Sequence, residues 1–260
     1  MSQKSESAAF ERLAAVIREL RQKCPWDREQ TYGTLGNHLL EEAYEVVDAI
    51  ERGDTKDLEG ELGDVLAQLL AIAVIGEESG AFSVKSILEE VEAKLVHRHP
   101  HVYSGTRAET AEQVVRNWEA MKQAERRDSG MKSALDGITL ALPALVRAEK
   151  LGRRAKAAGM DWSDARAVLS KVREELAEVE QALAQGREAE AVEEIGDMLL
   201  ALGNVPRFLN ANAEEALRKA CNKFSERFRR VEILAAKTNR SMYDMNATEL
   251  DSLWETAKRG

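Results

Sequence analysis

The strongest constraint on the fold is an acidic pattern that occurs twice in this chain of 260 residues. The strings LLEEAYEVVDAI and GELGDVL carry the first copy, and VREELAEVEQAL and EEIGDML carry the second. Each of four acids in the second copy lies 133 positions after its counterpart in the first. The four pairs are Glu42 and Glu175, Glu45 and Glu178, Glu61 and Glu194, and Asp64 and Asp197. A repeat with one constant offset indicates two copies of one structural unit.

Two cations and one tryptophan also recur, with looser spacing, downstream of the acids. They are Lys94, Arg98 and Trp118 in the first copy, and Lys223, Arg227 and Trp254 in the second. The two copies therefore share a set of charged residues in addition to their core residues.

The hydrophobic pattern predicts an all-α fold. Apolar residues recur three and four positions apart almost everywhere, and convincing period-2 alternation is absent. Stripes of this spacing run over residues 39–50 and 58–72, with Gly53 and Asp54 forming a short turn between them. Each stripe must be buried against a partner, so the first copy is expected to form a helical hairpin. The repeat extends this prediction to tandem duplicated helical-hairpin modules.

A polar segment rich in small residues, RRDSGMKSALDG, ends at Gly137 and separates the two copies. We therefore expect an N-terminal domain at 1–127, a linker at 128–137 and a C-terminal domain at 138–260. Helices outside the first hairpin are expected before Cys24, over 83–97 and 108–127, up to Ala158, from Ser163, after Gly186, over 213–237 and near Trp254.

The acids of each copy are expected to converge on one site. In each helix the two acids are three positions apart and so project from the same face. Four close carboxylates repel one another and lose hydration, and a bound cation removes that cost. Oxygen ligands without His or Cys favour Mg²⁺ or Mn²⁺. A lone EExxE string is more often a solvated helix face, but its repetition together with ExxD favours a metal site.

Composition and charge argue against several other classes of protein. The formal net charge is −9, and no basic stripe is present that could bind nucleic acid. No stretch approaches the roughly 20 apolar residues of a membrane span, and the N-terminus lacks the apolar core of a signal peptide. Cys24 and Cys221 follow no ligand spacing and predict two reduced thiols. We therefore expect a cytoplasmic protein without nucleic-acid or membrane partners.

Several strings resemble the MazG family of nucleoside triphosphate pyrophosphohydrolases. They are CPWDREQTYGTL, LLEEAYEVVDAI, GELGDVL and HRHPHVY in the first half, and GMDW, EELAEVE, EEIGDML, KFSERFRRVE and LWETAKR in the second. The resemblance covers essentially the whole chain, including the duplication. It implies an all-α homodimer that cleaves nucleoside triphosphates, ATP among them, to nucleoside monophosphate and pyrophosphate. It also implies dependence on Mg²⁺, with Mn²⁺ as a substitute, and activity in the C-terminal copy.

The resemblance assigns roles to individual residues of the C-terminal copy. The metal ligands would be Glu175, Glu178, Glu194 and Asp197, with Glu42, Glu45, Glu61 and Asp64 as a second candidate set. The nucleotide contacts would be Lys171, Glu174, Glu194, Asp197, Lys223, Arg227 and Trp254, with Trp254 near the base. The first copy has His38 where the second has Lys171. Relatives often carry Asn two positions before Lys223, and this chain has Cys221 there, so the C-terminal nucleotide pocket departs from the family pattern at that position.

The proposed reaction is attack of water on the α-phosphorus. A divalent cation between the acids and the phosphates would offset charge and orient the water. The catalytic residues are expected to be Glu174, Glu175, Glu178 and Lys223. Glu174 is a candidate water-positioning base, although a surface acid fits its position equally well. The chain has no GxxxxGK[ST] loop to hold phosphates and no arrangement typical of a covalent nucleophile.

Two other functions compete with this interpretation. A di-iron carboxylate bundle requires Glu-x-x-His pairs, and no His lies three residues after any of the repeated glutamates. The main alternative is a catalytically weak helical dimer that senses nucleotides or binds other proteins, above all for the N-terminal copy. We prefer the pyrophosphohydrolase to both alternatives. Such an enzyme is expected to have broad base specificity or a house-cleaning role.

Overall fold

The computed structural model describes residues 3–105, 107–128, 130, 132–238 and 240–259. Within these residues the regular structure is helical, and no β-strand is present. The helices are α1 (Gln3–Lys23), α2 (Pro25–Glu29), α3 (Tyr32–Arg52), α4 (Thr55–Glu78), α5 (Val84–Arg98), α6 (Pro100–Tyr103), α7 (Ala111–Asp128), α8 (Ala144–Ala157), α9 (Ala165–Ala184), α10 (Glu188–Leu202), α11 (Ala213–Ala236) and α12 (Ala247–Arg259), with 3₁₀ helices at Pro206–Leu209 and Met242–Asp244. The predicted all-α class is confirmed. Among the described helices, none is both long enough and apolar enough to cross a membrane.

The long helices predicted from hydrophobic spacing are present close to their expected positions. The helix expected from Ser163 begins at Ala165, because the Asp164 side chain accepts a hydrogen bond from the Ala167 N–H and caps it. The short helices α2 and α6 were not predicted. Each begins at a proline, whose fixed φ suits the first helical position, but four or five residues show too little periodicity to be recognised.

The polypeptide forms two compact units, residues 1–123 and 124–260. In the first unit, α3 and α4 pack together as a hairpin, α1 packs against α4, and α5 contacts α4. The turn of the hairpin depends on Gly53, whose φ of 68° lies in the left-handed region that favours glycine. Asp54 then caps α4 by accepting hydrogen bonds from the N–H groups of Lys56 and Asp57.

The second unit repeats this arrangement. Helices α9 and α10 form the equivalent hairpin, α8 packs against α10 and α11, and α11 packs against α12. The hairpin turns at Gly186, 133 positions after Gly53, with a φ of 69°. Val168 and Ala182 of α9 and Ala191 of α10 are fully or almost fully buried along the hairpin. The repeated acids therefore lie on two hairpins of the same design.

Each hairpin leaves a row of apolar side chains exposed. Two packed helices cover only part of a stripe that spans 100° or more of each helix, as expected for a module of this size with long apolar stripes. The exposed members are Leu40, Tyr44, Ile50, Leu62, Leu66 and Leu69 in the first unit, and Leu176, Leu183, Val192, Ile195, Leu199 and Leu202 in the second. Each hairpin thus presents an apolar surface that its own unit does not cover.

An ion pair ties α1 to the end of α4 in the first unit. Arg18 Nε and Nη2 donate to the two oxygens of the Glu77 carboxylate at 3.0 and 3.1 Å, and the Val84 N–H donates to the same group at 3.1 Å. The hydrogen bonds from Arg18, with that from Val84, hold the pKa of Glu77 below its ordinary value despite partial burial. Bidentate charge-assisted pairs of this kind are stronger than single contacts.

Glu77→Gln is expected to lower the free energy of unfolding by about 1 kcal/mol or less, as partly exposed pairs do. The folded pKa of Glu77 is lowered, so its contribution is complete above the ordinary Glu pKa of about 4.3 and is lost as pH falls through the folded pKa. Denaturant unfolding at about pH 7 and about pH 3 measures this change. Glu59→Gln, with the same change of charge at an exposed site on α4, is the control. Equal effects of the two variants near neutral pH would contradict the prediction.

Candidate functional site

The C-terminal hairpin brings three of its four repeated acids together. Glu175 of α9 and Glu194 and Asp197 of α10 each offer a carboxylate oxygen, and these oxygens all lie within 4.8 Å of one another. Glu175 is buried, with only 4% of its surface exposed, whereas Asp197 is exposed. The cluster therefore runs from the interior of the hairpin to its surface.

Glu178, the fourth predicted acid, lies outside this closest group but acts on it. It is exposed on α9, one turn after Glu175. Its charge raises the pKa of Glu194, and its side chain hydrogen-bonds to Glu175. All four acids therefore belong to one electrostatic cluster.

Lys171 lies at the N-terminal side of the cluster and binds two carboxylates. Its Nζ is 2.7 Å from Glu174 Oε1 and 2.6 Å from Glu175 Oε1. Hydrogen bonds to Glu174 and then Glu175 raise the pKa of Lys171, so the ammonium stays charged. A single cation thus connects the exposed Glu174 carboxylate to the buried Glu175 carboxylate.

The acids of the C-terminal cluster differ in their affinity for protons. The hydrogen bond from Lys171 holds the pKa of Glu175 below its ordinary value, against the opposing effect of burial. Burial, followed by the charges of Glu178 and Glu175, raises the pKa of Glu194. Mutual repulsion among the acids is therefore concentrated on Glu194.

The N-terminal hairpin forms a similar cluster. Oxygens of Glu42, Glu45 and Glu61 lie within 4.8 Å of one another. Burial is the largest cause that raises the pKa values of Glu42 and Glu61. The charge of Asp64 adds to this rise in both groups. Four acids per hairpin were predicted to converge, and in each copy three do so closely while the fourth acts on them electrostatically.

The two clusters differ in the residue at the Lys171 position. In the first copy, His38 Nδ1 lies 3.9 Å from Glu41, and its ring lies against Trp26 at 5.9 Å between centroids. A histidine ring at this position is charged only when it is protonated, whereas the Lys171 ammonium carries a charge as it stands. The N-terminal acids therefore lack the permanent cation that accompanies Glu175.

The donor set of both clusters fits a hard divalent cation. Each offers several carboxylate oxygens within a small volume and, in the described part of the chain, no thiolate or imidazole among the grouped ligand atoms. Burial and then repulsion from the neighbouring acids raise the pKa values of Glu194 and Glu61, and a bound cation would remove this cost.

The remaining predicted residues lie on α11 and α12, which pack against each other. Lys223 is exposed and Arg227 is half-buried, one turn apart on α11. Trp254 of α12 packs against Phe224 of α11, with 5.2 Å between ring centroids. Helix α11 packs mainly against α12 and α8.

Sequence reasoning missed a cavity of about 590 Å³ that begins at Lys171. Its walls include Met160 and Trp162, from the segment between α8 and α9, and Asn204, which follows α10. The spacing of residues along the chain contains no pattern that predicts such a cavity. Three residues of the GMDW string, Met160, Asp161 and Trp162, line this cavity, and that string also resembles the MazG family.

Comparison with known protein families identifies the fold that carries these clusters. The MazG nucleotide pyrophosphohydrolase domain matches twice, at residues 30–103 and 164–231, and each match contains one acid cluster. The chain belongs to the MazG family. The predicted resemblance and the predicted duplication are both confirmed.

Similarity to individual MazG proteins extends over nearly the whole chain. It is 41% identical over 255 residues to the nucleoside triphosphate pyrophosphohydrolase of Escherichia coli K12, covering 96% of this chain and 97% of that protein. It is 38% identical over 259 residues to the nucleoside triphosphate pyrophosphohydrolase/pyrophosphatase MazG of Thermotoga maritima, covering 99% and 98%. A crystal structure of a mazG-related protein from Thermotoga maritima matches 44% of this chain and 98% of its own, with 29% identity and a TM-score of 0.40.

Glu194→Gln is expected to raise the melting temperature of the metal-free protein near neutral pH, because it removes a charge that its neighbours repel. The pKa of Glu194 is raised, so the advantage of the variant should vanish as pH falls through that pKa and the wild-type carboxyl becomes neutral. Thermal unfolding with and without Mg²⁺ measures both this effect and a weaker stabilisation of the variant by the ion.

The matched control is Glu193→Gln, which makes the same change of charge at the exposed neighbouring position. It should change neither the metal-free melting temperature nor the effect of Mg²⁺ appreciably. A clear loss of metal-free stability in Glu194→Gln would mean that the Glu194 carboxylate forms a stabilising internal pair instead.

Proposed function

We propose that this protein hydrolyses nucleoside triphosphates to nucleoside monophosphate and pyrophosphate, and that the C-terminal cluster carries the reaction with Mg²⁺. Mn²⁺ can substitute, because it accepts the same oxygen ligands. The observation on which the proposal rests is the convergence of Glu175, Glu194 and Asp197 beside the ammonium of Lys171. The nucleoside triphosphate pyrophosphohydrolases at 38–41% identity over almost the full chain support it.

The ion would be held by oxygens of all four C-terminal acids, Glu175, Glu178, Glu194 and Asp197. A divalent cation at this position supplies charge that offsets the triphosphate and lowers the pKa of a bound water. The N-terminal acids Glu42, Glu45, Glu61 and Asp64 are the second candidate set.

Lys171 and Glu174 are proposed to act together when substrate binds. In the free protein the ammonium neutralises part of the charge of Glu174 and Glu175. A phosphate oxygen is a stronger competitor for that ammonium, and turning Lys171 towards it frees the Glu174 carboxylate. Glu174 can then accept a hydrogen bond from the attacking water and hold it in place. In the free protein the hydrogen bond from Lys171 lowers the pKa of the buried Glu175, and when Lys171 turns away a bound cation would replace it in stabilising the charged carboxylate.

Lys223 and Arg227 are proposed to contact the phosphates that leave as pyrophosphate. They lie one turn apart on α11 and so project from the same face of that helix. Two cations at this spacing can offset negative charge that develops on the leaving group. Trp254 is proposed to lie near the base, as the family resemblance implies.

The two copies are proposed to divide their roles. Glu175→Ala and Asp197→Ala should each lower the rate of pyrophosphate release from ATP by at least about a hundredfold, because loss of a ligand disables the metal site. Glu42→Ala and Asp64→Ala, the same changes at the repeated positions, should retain most of the rate. Release of AMP and pyrophosphate with Mg²⁺, with and without a chelator, is the measurement.

This experiment has three informative contrary outcomes. ADP and orthophosphate as the main products would contradict the proposed reaction. Inactive N-terminal variants beside active C-terminal ones would reverse the assignment of the copies. A loss of about half the rate from each set would show two working sites, and the Lys171 position would then not distinguish them.

A homodimer is proposed from the uncovered apolar rows of the hairpins. In α10 the exposed residues Val192, Ile195, Leu199 and Leu202 follow helical spacing and form one continuous stripe. A second stripe with Leu62, Leu66 and Leu69 runs along α4. Extended apolar surfaces on a protein in water favour association, and the second copy of this chain offers matching surfaces.

Leu199→Asp is expected to shift the wild-type dimer towards monomers of 28.9 kDa, because it places a charge in the centre of the α10 stripe. Light scattering at micromolar protein concentration measures the mass. Leu209→Asp, at a position outside α10 that is 66% exposed, is the control and should remain dimeric. A wild-type protein that is strictly monomeric under these conditions would contradict the proposal.

A further inference from the structure

Glu149 of α8 is a charged side chain that is buried away from the acid cluster of the second unit. Only 8% of its surface is exposed. Arg153, one turn later on α8, donates to Glu149 Oε1 from Nε at 2.9 Å and from Nη2 at 2.8 Å. Asn212 Nδ2 donates to Glu149 Oε2 at 3.1 Å. A buried carboxylate is costly unless it is paired, and these contacts pair both of its oxygens.

Asn212 connects this carboxylate to the beginning of α11. Its Oδ1 accepts a hydrogen bond from the Glu215 N–H at 2.9 Å and so caps the helix. The two ends of the amide are not interchangeable, because the oxygen only accepts and the nitrogen only donates. The cap therefore fixes the orientation of the amide and directs its donor to Glu149. One side chain thus joins the N-terminus of α11 to a buried acid of α8.

Helix α8 lies close against the end of α10, the helix that carries Glu194 and Asp197. A Cβ built on Gly203, directly after α10, would be 3.3 Å from the Cβ of Ala148. Ala148 is itself buried and precedes Glu149 in the chain. Glu149 therefore joins α11 to a helix that is tightly packed on the acid-bearing hairpin.

The direction of α11 determines where its two proposed phosphate contacts lie. Lys223 is eleven residues after Asn212, which is roughly 16 Å along the helix axis. A tilt of about 5° at the cap would move Lys223 by about 1.4 Å. Displacements of about 1 Å can lower catalytic rates by large factors, even when their cause is far from the reacting atoms. A contact at the start of α11 can therefore control the position of a residue that it does not touch.

We propose that Glu149 is a positioning residue for the phosphate contacts of α11. Through Asn212 it holds the direction of α11, so that Lys223 and Arg227 meet the triphosphate bound at the acid cluster. The inference rests on the proposed function, which assigns these two cations to the phosphates. Glu149 acts through Asn212 and has no assigned contact with metal or substrate.

The first unit anchors the equivalent helix through a different carboxylate. Ser83 caps α5, 129 positions before Asn212 caps α11, and both helices carry the repeated cations. In the first unit the Glu77 carboxylate of α4 accepts a hydrogen bond at 3.1 Å from the N–H of Val84, the first residue of α5. Different residues thus place a carboxylate at the start of the cation-bearing helix in both units. This recurrence favours a role in placing that helix.

The alternative role for Glu149 is stability alone. That role predicts substitutions that lower the free energy of unfolding without changing the kinetics of the folded enzyme. Positioning predicts a loss of kcat/KM that depends on the cations of α11. A double-mutant cycle with Lys223 separates the two roles, because its interaction term vanishes for residues that act independently.

The test exchanges donor and acceptor in the hydrogen bond between Glu149 and Asn212, in the full chain. Asn212→Asp keeps an oxygen for the cap but sets a carboxylate against Glu149. It should lower kcat/KM for ATP with Mg²⁺ by at least about tenfold. Adding Glu149→Gln restores a donor opposite the new acid and should recover most of the loss. Asn246→Asp, the same change at the residue that caps α12, should leave kcat/KM unchanged.

Two further measurements distinguish positioning from general damage. In the background of Lys223→Ala, the change Asn212→Asp should cause a clearly smaller loss of kcat/KM, because the cation that it misplaces is absent. The rise in melting temperature with Mg²⁺ should match that of the wild type, because the ligand oxygens grouped at the hairpin come from α9 and α10.

An unchanged kcat/KM in Asn212→Asp would overturn the proposal. So would an equal loss with and without Lys223, or no recovery on adding Glu149→Gln. If Asn212→Asp does not fold, Glu149→Leu replaces it and should show the same loss and the same dependence on Lys223. Glu77→Leu, which removes the equivalent carboxylate of the first unit, should keep the wild-type kcat/KM, and an equal loss there would also contradict the proposal.

Failure of the proposed function is measured separately. It would appear as a wild-type protein that forms no AMP and pyrophosphate from ATP. Failure of the inference about Glu149 would instead leave an active wild-type enzyme and an Asn212→Asp variant with the same kcat/KM.

Discussion

The repulsion between carboxylates that the hairpin forces together is the interaction on which the site depends. Folding α9 against α10 places three acid oxygens within 4.8 Å and buries Glu175, although like charges at that distance oppose the fold. The ion pair of Lys171 with Glu175 offsets part of this repulsion. Glu194 has no such partner among these contacts, and burial together with the neighbouring charges raises its pKa. In the proposed function a divalent cation and a polyanionic substrate would together replace this repulsion with attraction.

The duplicated module shows how one fold supports two different sites. Both hairpins keep the turn glycine and the acids, so both retain the electrostatic cluster. The copies diverge beside the cluster, where Lys171 replaces His38 and where a cavity with Asn204 replaces a nearly filled space with Ala71. A metal site alone cannot distinguish nucleotides. The residues around it determine whether phosphates and a base can be held as well.

The helices and the two acid clusters could be predicted from the sequence, because both follow from local spacing. Residues three apart share a helix face, and the glycine turn at 53 requires that the two helices fold back on each other. The cavity could not be predicted, because Gly152, Trp162 and Asn204 meet only through packing of distant segments. Long stripes predict that some apolar surface stays uncovered, but not which leucines, since a periodic stripe does not reveal how much of it one hairpin covers.

The central claim is that the acid cluster directs water to the α-phosphorus of a nucleoside triphosphate. Turnover of ATP with Mg²⁺ in water enriched in oxygen-18, followed by mass spectrometry of both products, tests it most directly. One labelled oxygen is expected in AMP and none in pyrophosphate, because the oxygen of water forms its new bond with the α-phosphorus. Label in pyrophosphate would contradict it, since the water would then have attacked the β-phosphorus.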